Sequence, residues 1–131
     1  MPFIRVTINE PDLAADTTRR IADGLTELAV SALNKSPART TVHLSLVPAA
    51  LVYIAGAPVT GTGATAAHVE ASITAGTTSA AEKEAFIKGA YELLKETLGA
   101  LPSVAGVALH ELHPESYGYN GITQLEHYRT S

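Results

Sequence analysis

The chain has 131 residues, 46% hydrophobic and 17% charged, a balance that suits a folded domain with a sizeable core and excludes a disordered tail. Nine Lys and Arg against thirteen Asp and Glu give a net charge of −4 with the cations scattered, so no nucleic-acid partner is expected. With no Cys, disulfides, thiolate metal sites and a thiol nucleophile are excluded; with no basic-then-apolar leader and no run of about 18 apolar residues, a cytoplasmic protein without a membrane partner is expected.

Taken in chain order, Phe3 to Ile8 is apolar and β-branched and predicts a strand headed by Pro2. Ile21, Leu25, Leu28, Ala32 and Leu33 recur at helical spacing, and Thr41 to Val47 predicts a second strand, with Thr41, His43 and Ser45 on one face and Val42, Leu44 and Leu46 on the other. Thr60-Gly61-Thr62-Gly63-Ala64-Thr65 reads as a linker, since no Gly-Lys-Ser/Thr follows to make it a phosphate cradle. Val69 to Thr74 predicts a third strand. Ser79-Ala80-Ala81-Glu82 is a capping-box signature before the helical run Phe86, Ile87, Ala90, Leu93, Leu94 and Leu98, which Gly99 stops. Val104 to Leu112 predicts the fourth strand, on which His110 and His113 point to opposite faces, so no metal pair is expected.

The chain repeats itself at a constant shift. Ile8 and Ile73 differ by 65 positions, as do Gly24 and Gly89, Leu28 and Leu93, Leu33 and Leu98, Val42 and Val107, Leu44 and Leu109, and Gly56 and Gly121. The expected organisation is one domain, 1–131, with repeat one at 2–59, a linker at 60–66 and repeat two at 67–131. Gly24 and Gly89 each fall inside a predicted helix, where Gly costs about 1 kcal/mol relative to Ala, and close packing on a sheet is the simplest common reason. Two tandem β-α-β units imply an α/β (α+β) fold: a four-stranded mixed sheet with both helices on one face. The other face is expected to be apolar and to be covered by oligomerisation around a threefold axis.

Pro2 carries the chemical argument. If Met1 is removed, Pro2 becomes a secondary amine, protonated at neutral pH unless apolar walls such as Ile4, Ile54 or tyrosines of the other repeat lower its pKa. A neutral amine there is a general base able to move a proton from a carbon next to a carbonyl. Ala67 stands at the equivalent place in the second repeat and offers only an amide, so one such site per chain is expected.

Pro2 at the head of the first strand, the duplicated unit, Val47-Pro48 followed by Val52-Tyr53-Ile54-Ala55-Gly56, and the echo Tyr117-Gly118-Tyr119-Asn120-Gly121 together resemble the tautomerase superfamily over nearly all of the chain. The resemblance implies a homotrimeric isomerase without cofactor or metal, acting by keto–enol tautomerisation on a small α-keto acid with Pro2 as general base. It also implies arginines that hold the substrate carboxylate, and here most are replaced. The short 4-oxalocrotonate type has arginines where this chain has Asp12 and Thr41. The cis-3-chloroacrylic acid dehalogenase branch has a pair where Thr74 and Thr77 stand, its tyrosine and glutamate fall near Ala108 and Tyr119, and its histidine near Ala29. Lys35 resembles the lysine of the migration-inhibitory branch, and Arg39 is a neighbouring carboxylate partner. Tyr53, Tyr117 and Tyr119 are expected to wall the site and donate a hydroxyl. Two alternatives remain: a hydratase or dehalogenase-like activity with Pro2 as general acid, and a non-catalytic trimer that binds a ligand or partner.

Overall fold

The computed structural model describes residues 1–130. In chain order it runs β1 (Phe3–Ile8), α1 (Ala15–Ser31), β2 (Thr41–Leu46), the short strands β3 (Tyr53–Ile54) and β4 (Ala57–Pro58), β5 (Ala67–Thr74), α2 (Ala80–Leu98), β6 (Gly106–Leu112), the short strands β7 (Gly118–Tyr119) and β8 (Ile122–Thr123), and α3 (Gln124–Thr130). β1, β2, β5 and β6 form one sheet in the order β2-β1-β5-β6, parallel within each β-α-β unit and antiparallel where β1 meets β5. The mixed four-stranded sheet and the two helices on one face are therefore as expected. No described helix is long and apolar enough to cross a membrane.

The 65-residue shift holds in three dimensions. Adding it to the bounds of β3 and β4 gives those of β7 and β8, and the two antiparallel hairpins carry positive φ at equivalent positions, Ala55 (53°) and Gly56 (81°) in one, Asn120 (58°) and Gly121 (75°) in the other. Two successive residues with positive φ make the turn that matches strand twist, for which Asn-Gly is the favoured pair. Where β1 meets β5, Arg5 lies opposite Glu70, its own equivalent, so the local twofold relating the units passes between these residues.

Alternation along the strands puts Ile4, Val6 and Ile8 of β1 and Ala67, Val69, Ala71 and Ile73 of β5 beneath the helices, all buried. The helices bury Ile21, Leu25 and Ala29 from α1 and the equivalent Phe86, Ala90 and Leu94 from α2. Large and small residues are exchanged between the units, Leu25 for Ala90 and Ala29 for Leu94, which keeps the shared core filled without like meeting like. The capping box at the start of α2 forms as read: Ser79 Oγ accepts from Glu82 N and Glu82 Oε1 accepts from Ser79 N. Gly99 ends α2 with φ of 84°.

Three expectations need correction. Gly24 and Gly89 give room for the helices to approach each other, not the sheet: a Cβ on Gly24 would sit 2.6 Å from Leu93 Cδ2, and one on Gly89 2.6 Å from Leu28 Cδ2. The open face of the sheet is polar. It presents Arg5, Thr7, His43, Ser45, His68, Glu70, Ser72 and His110, with His110 Nε2 2.9 Å from Glu70 Oε1 and the Phe3 ring edge-on to His43. The period-2 pattern buries the apolar residues of β1 and β5 on the helical side only, so few remain for the other face. The fourth strand starts at Gly106 rather than Val104, because Ala105 N bonds back to Pro102 O in a turn that leaves Val104 exposed.

Candidate active site

The head of β1 is where the candidate groups meet. Pro2 is fully buried, and its carbonyl accepts a hydrogen bond from Thr41 N, which ties it to the start of β2. Met1 lies half-buried above it. The Met1 amine is held below its ordinary pKa first by burial and then by the positive charges of Lys35 and Arg39. An amine at this place is thus both partly dehydrated and flanked by two cations, and each factor favours its neutral form.

Local chain geometry brings those cations there. After α1, Asn34 turns the chain at a φ of 56°, a conformation short polar side chains tolerate, and Lys35 N bonds back to Ala29 O at 2.9 Å. Lys35 Nζ then donates to Thr77 Oγ1 at 2.9 Å, across to the second unit. Its pKa is lowered, chiefly by burial, against the opposing pull of Glu82. Arg39 closes a single helical turn over Pro37–Arg39 that begins on proline, whose fixed φ suits that position. Its guanidinium lies 4.9 Å from the Tyr119 ring centroid, in the range of a cation–π contact.

The second unit supplies the opposite wall. β5 runs back toward the head of β1, so its last residue Thr74 pairs near Pro2's end, and the hairpin after β6 folds over the same region. Thr74, buried, shares a short hydrogen bond with the Tyr117 hydroxyl, and Thr77 Oγ1 donates to Thr74 O at 2.7 Å. Burial pushes the Tyr117 hydroxyl above its ordinary pKa, partly offset by the Thr74 bond. Tyr119 is stacked on His127 of α3 at 3.9 Å between centroids, and His127 Nε2 lies 3.1 Å from Tyr119 O. The Tyr119 hydroxyl is buried and has no hydrogen-bond partner among the described residues.

Lys35, Arg39, Tyr117 and Tyr119 are thus brought around the head of β1. Tyr53 is not: it sits on the β3–β4 hairpin, 59% exposed, flanked by Val52 and Ile54, which line a cavity with Thr7 and Ala67 at the other end of β1. Thr74 and Thr77, noted in the sequence only as missing arginines, prove to be the hydrogen-bonding links that fix Tyr117 and Lys35. Sequence reading missed His127, because α3 has no counterpart in the first repeat and no periodicity announces it. His43 packs against the Phe3 ring on the open face of the sheet instead, and His113, beyond β6, accepts from Glu115 N.

Residues 2–61 match the family model described as tautomerase enzyme. No curated protein matches the sequence. Among solved structures, a wild-type fused 4-OT that forms a symmetric trimer is similar at a TM-score of 0.82 and 22% identity, over 94% of this chain and 96% of that one. Pt0534 inactivated by 2-oxo-3-pentynoate is similar at 0.85 and 18% identity, over 95% and 98%. A macrophage migration inhibitory factor-like protein from Entamoeba histolytica is similar at 0.75 and 14% identity, over 93% and 97%. At these identities the likeness is one of fold.

Proposed function

We propose that this chain is a tautomerase acting on a small α-keto acid with Pro2 as general base, a reading supported by the tautomerase family model that matches residues 2–61 and by the fold shared along the whole chain. The observation that carries the proposal is the amine site itself: a half-buried terminal nitrogen at the head of β1, its basicity reduced by burial and by Lys35 and Arg39. Removal of Met1 moves the terminus onto Pro2 and vacates the space above it. The secondary amine then takes a proton from the carbon next to the substrate carbonyl. The C–H electron pair becomes the enolate, and the proton is returned to the enolate oxygen. Arg39 and Lys35 hold the carboxylate, and the unpartnered Tyr119 hydroxyl donates to the oxygen on which charge develops.

The general-acid alternative gains no support, since Thr74 and Thr77 are engaged in hydrogen bonds where the dehalogenase branch has its paired arginines. We take the working unit to be a homotrimer in the cytoplasm. The trimeric fold relatives support association, as do the exposed Leu51 and Tyr53. Tyr53 then contributes to a site only across a subunit boundary.

The test starts from intact mass, which reports whether Met1 is gone. Loss of phenylpyruvate enol is then followed for the processed protein, Pro2→Ala and a Met1-retaining form. A general base contributes about 10²- to 10⁴-fold, so both altered proteins should fall at least that far. Incubation with 2-oxo-3-pentynoate should add one equivalent to the N-terminal peptide of the processed protein alone. Equal rates for the processed protein and Pro2→Ala would sink the base role.

A further inference from the structure

The local twofold gives the amine site a counterpart built from both units, and it has been emptied of charge. The 65-residue shift carries Met1 and Pro2 to Ala66 and Ala67, Lys35 to Ala100, Arg39 to Val104, and Tyr117 and Tyr119 to Val52 and Ile54, while Pro37 is matched by Pro102. Six of these seven counterparts, Val52, Ile54, Ala66, Ala67, Pro102 and Val104, line one cavity of about 210 Å³ at the far end of β1. Duplication has thus kept the shape of a site and exchanged its chemistry.

We propose that this cavity is a second ligand site, selective for a small neutral molecule with an apolar body and one hydrogen-bonding group. The size fits, because an apolar cavity of about 150 Å³ is enough to take up benzene. Charge decides the class. Neither cation of the first site has a counterpart here, and the floor is an internal amide, so a carboxylate entering would lose its hydration without compensation. The backbone of the floor is also engaged: Ala66 N donates to Asn9 Oδ1 at 2.7 Å, Ala66 O accepts from Asn9 N at 3.1 Å, and Thr65 N donates to Ala100 O at 3.0 Å. Those bonds also hold the floor rigid, so the site is preformed. Side-chain polarity in the lining is confined to Thr7 and His68, both facing the cavity from the polar side of the sheet, and one of them takes the ligand's single polar group.

The test uses benzyl alcohol as probe and benzoate as its charged counterpart, on the full chain in its native assembly, by backbone amide NMR titration and by crystal soaking. Benzyl alcohol should give saturable shifts at Ile54, Ala67 and Val104 with an affinity near about 1 mM, unchanged in Pro2→Ala, and benzoate should give none there. Val104 is 64% exposed, so Val104→Arg is tolerated by the fold, and it restores the cation of the first site. It should weaken benzyl alcohol about tenfold and give benzoate saturable binding at the same amides. The proposal is overturned if benzyl alcohol produces no saturable shifts at these residues, if benzoate binds the unaltered site as well, if Val104→Arg leaves both ligands unchanged, or if a side chain of another subunit fills the cavity in the crystal.

Discussion

Replacing Tyr119 with Phe tests the candidate site through stability and turnover at once. The hydroxyl of Tyr119 is buried with no partner among the described residues, and an unsatisfied buried hydroxyl costs about 1–3 kcal/mol. Phe keeps the ring between Arg39 and His127 and removes only that oxygen. Tyr119→Phe should therefore stabilise the protein by about 1 kcal/mol, which for a chain of this size raises the melting temperature by about 4 °C. The same change should slow the tautomerisation about 100- to 1,000-fold, the cost of losing one donor to a developing oxyanion. Tyr117, two residues away, is the control. Its hydroxyl is bonded to Thr74, which is 1% exposed, so Tyr117→Phe strands a buried Thr74 hydroxyl and should lower stability by about 1–2 kcal/mol. Thermal melts and phenylpyruvate kinetics on the pair give opposite signs in stability if the reasoning holds. A lower melting temperature for Tyr119→Phe with unchanged turnover would refute it, since the hydroxyl must then be satisfied in the assembly and turned away from substrate.

Three further outcomes are expected. The base acts in its neutral form, so kcat/KM should rise with pH through the Pro2 amine pKa; Lys35 helps to keep the terminal amine's pKa low, so Lys35→Met should move that ascending limb to higher pH, and a limb that stays or moves down contradicts the electrostatic account. Ala55 holds a φ of 53°, where an L-residue with a Cβ is strained, and its counterpart is Asn120; Ala55→Asn should raise stability by about 1 kcal/mol, read from denaturant midpoints at constant slope. Gly24→Ala gains about 1 kcal/mol of helix propensity but its Cβ meets Leu93 at 2.6 Å, an overpacking that costs about 1–3 kcal/mol; it should be neutral to destabilising alone and become stabilising in a Leu93→Ala background, and additivity in that cycle is the failing result.

The fold was legible because duplication makes each signal appear twice. Ser79 and Glu82 mark the start of α2 by local chemistry alone, and the alternation in Phe3 to Ile8 defines β1 to the residue. The polarity of the open face was present in the sequence as well, in Arg5, Thr7, His68 and Glu70, but recognising it requires the strand register that puts these residues together. The site was legible in its residue types and not in its links. Lys35 and Thr77, or Thr74 and Tyr117, are distant in sequence, and only the antiparallel return of β5 along β1 joins them. Tyr53 looked equivalent to Tyr117 and Tyr119 because all three lie in the two echoing hairpin motifs; the local twofold sends the first hairpin to the opposite end of β1.

That twofold has a further consequence at Arg5 and Glu70. In a dimer of two identical short units, the residue on the axis faces its own copy, so a charge there always meets its like. Joining the units in one chain lets the two positions carry opposite signs, which here they do. The step is hard to reverse. Cut apart in the loop before β5, each half would meet repulsion across its own axis and attraction across the other's, and the pieces should re-form as a mixed pair in preference to either matched one.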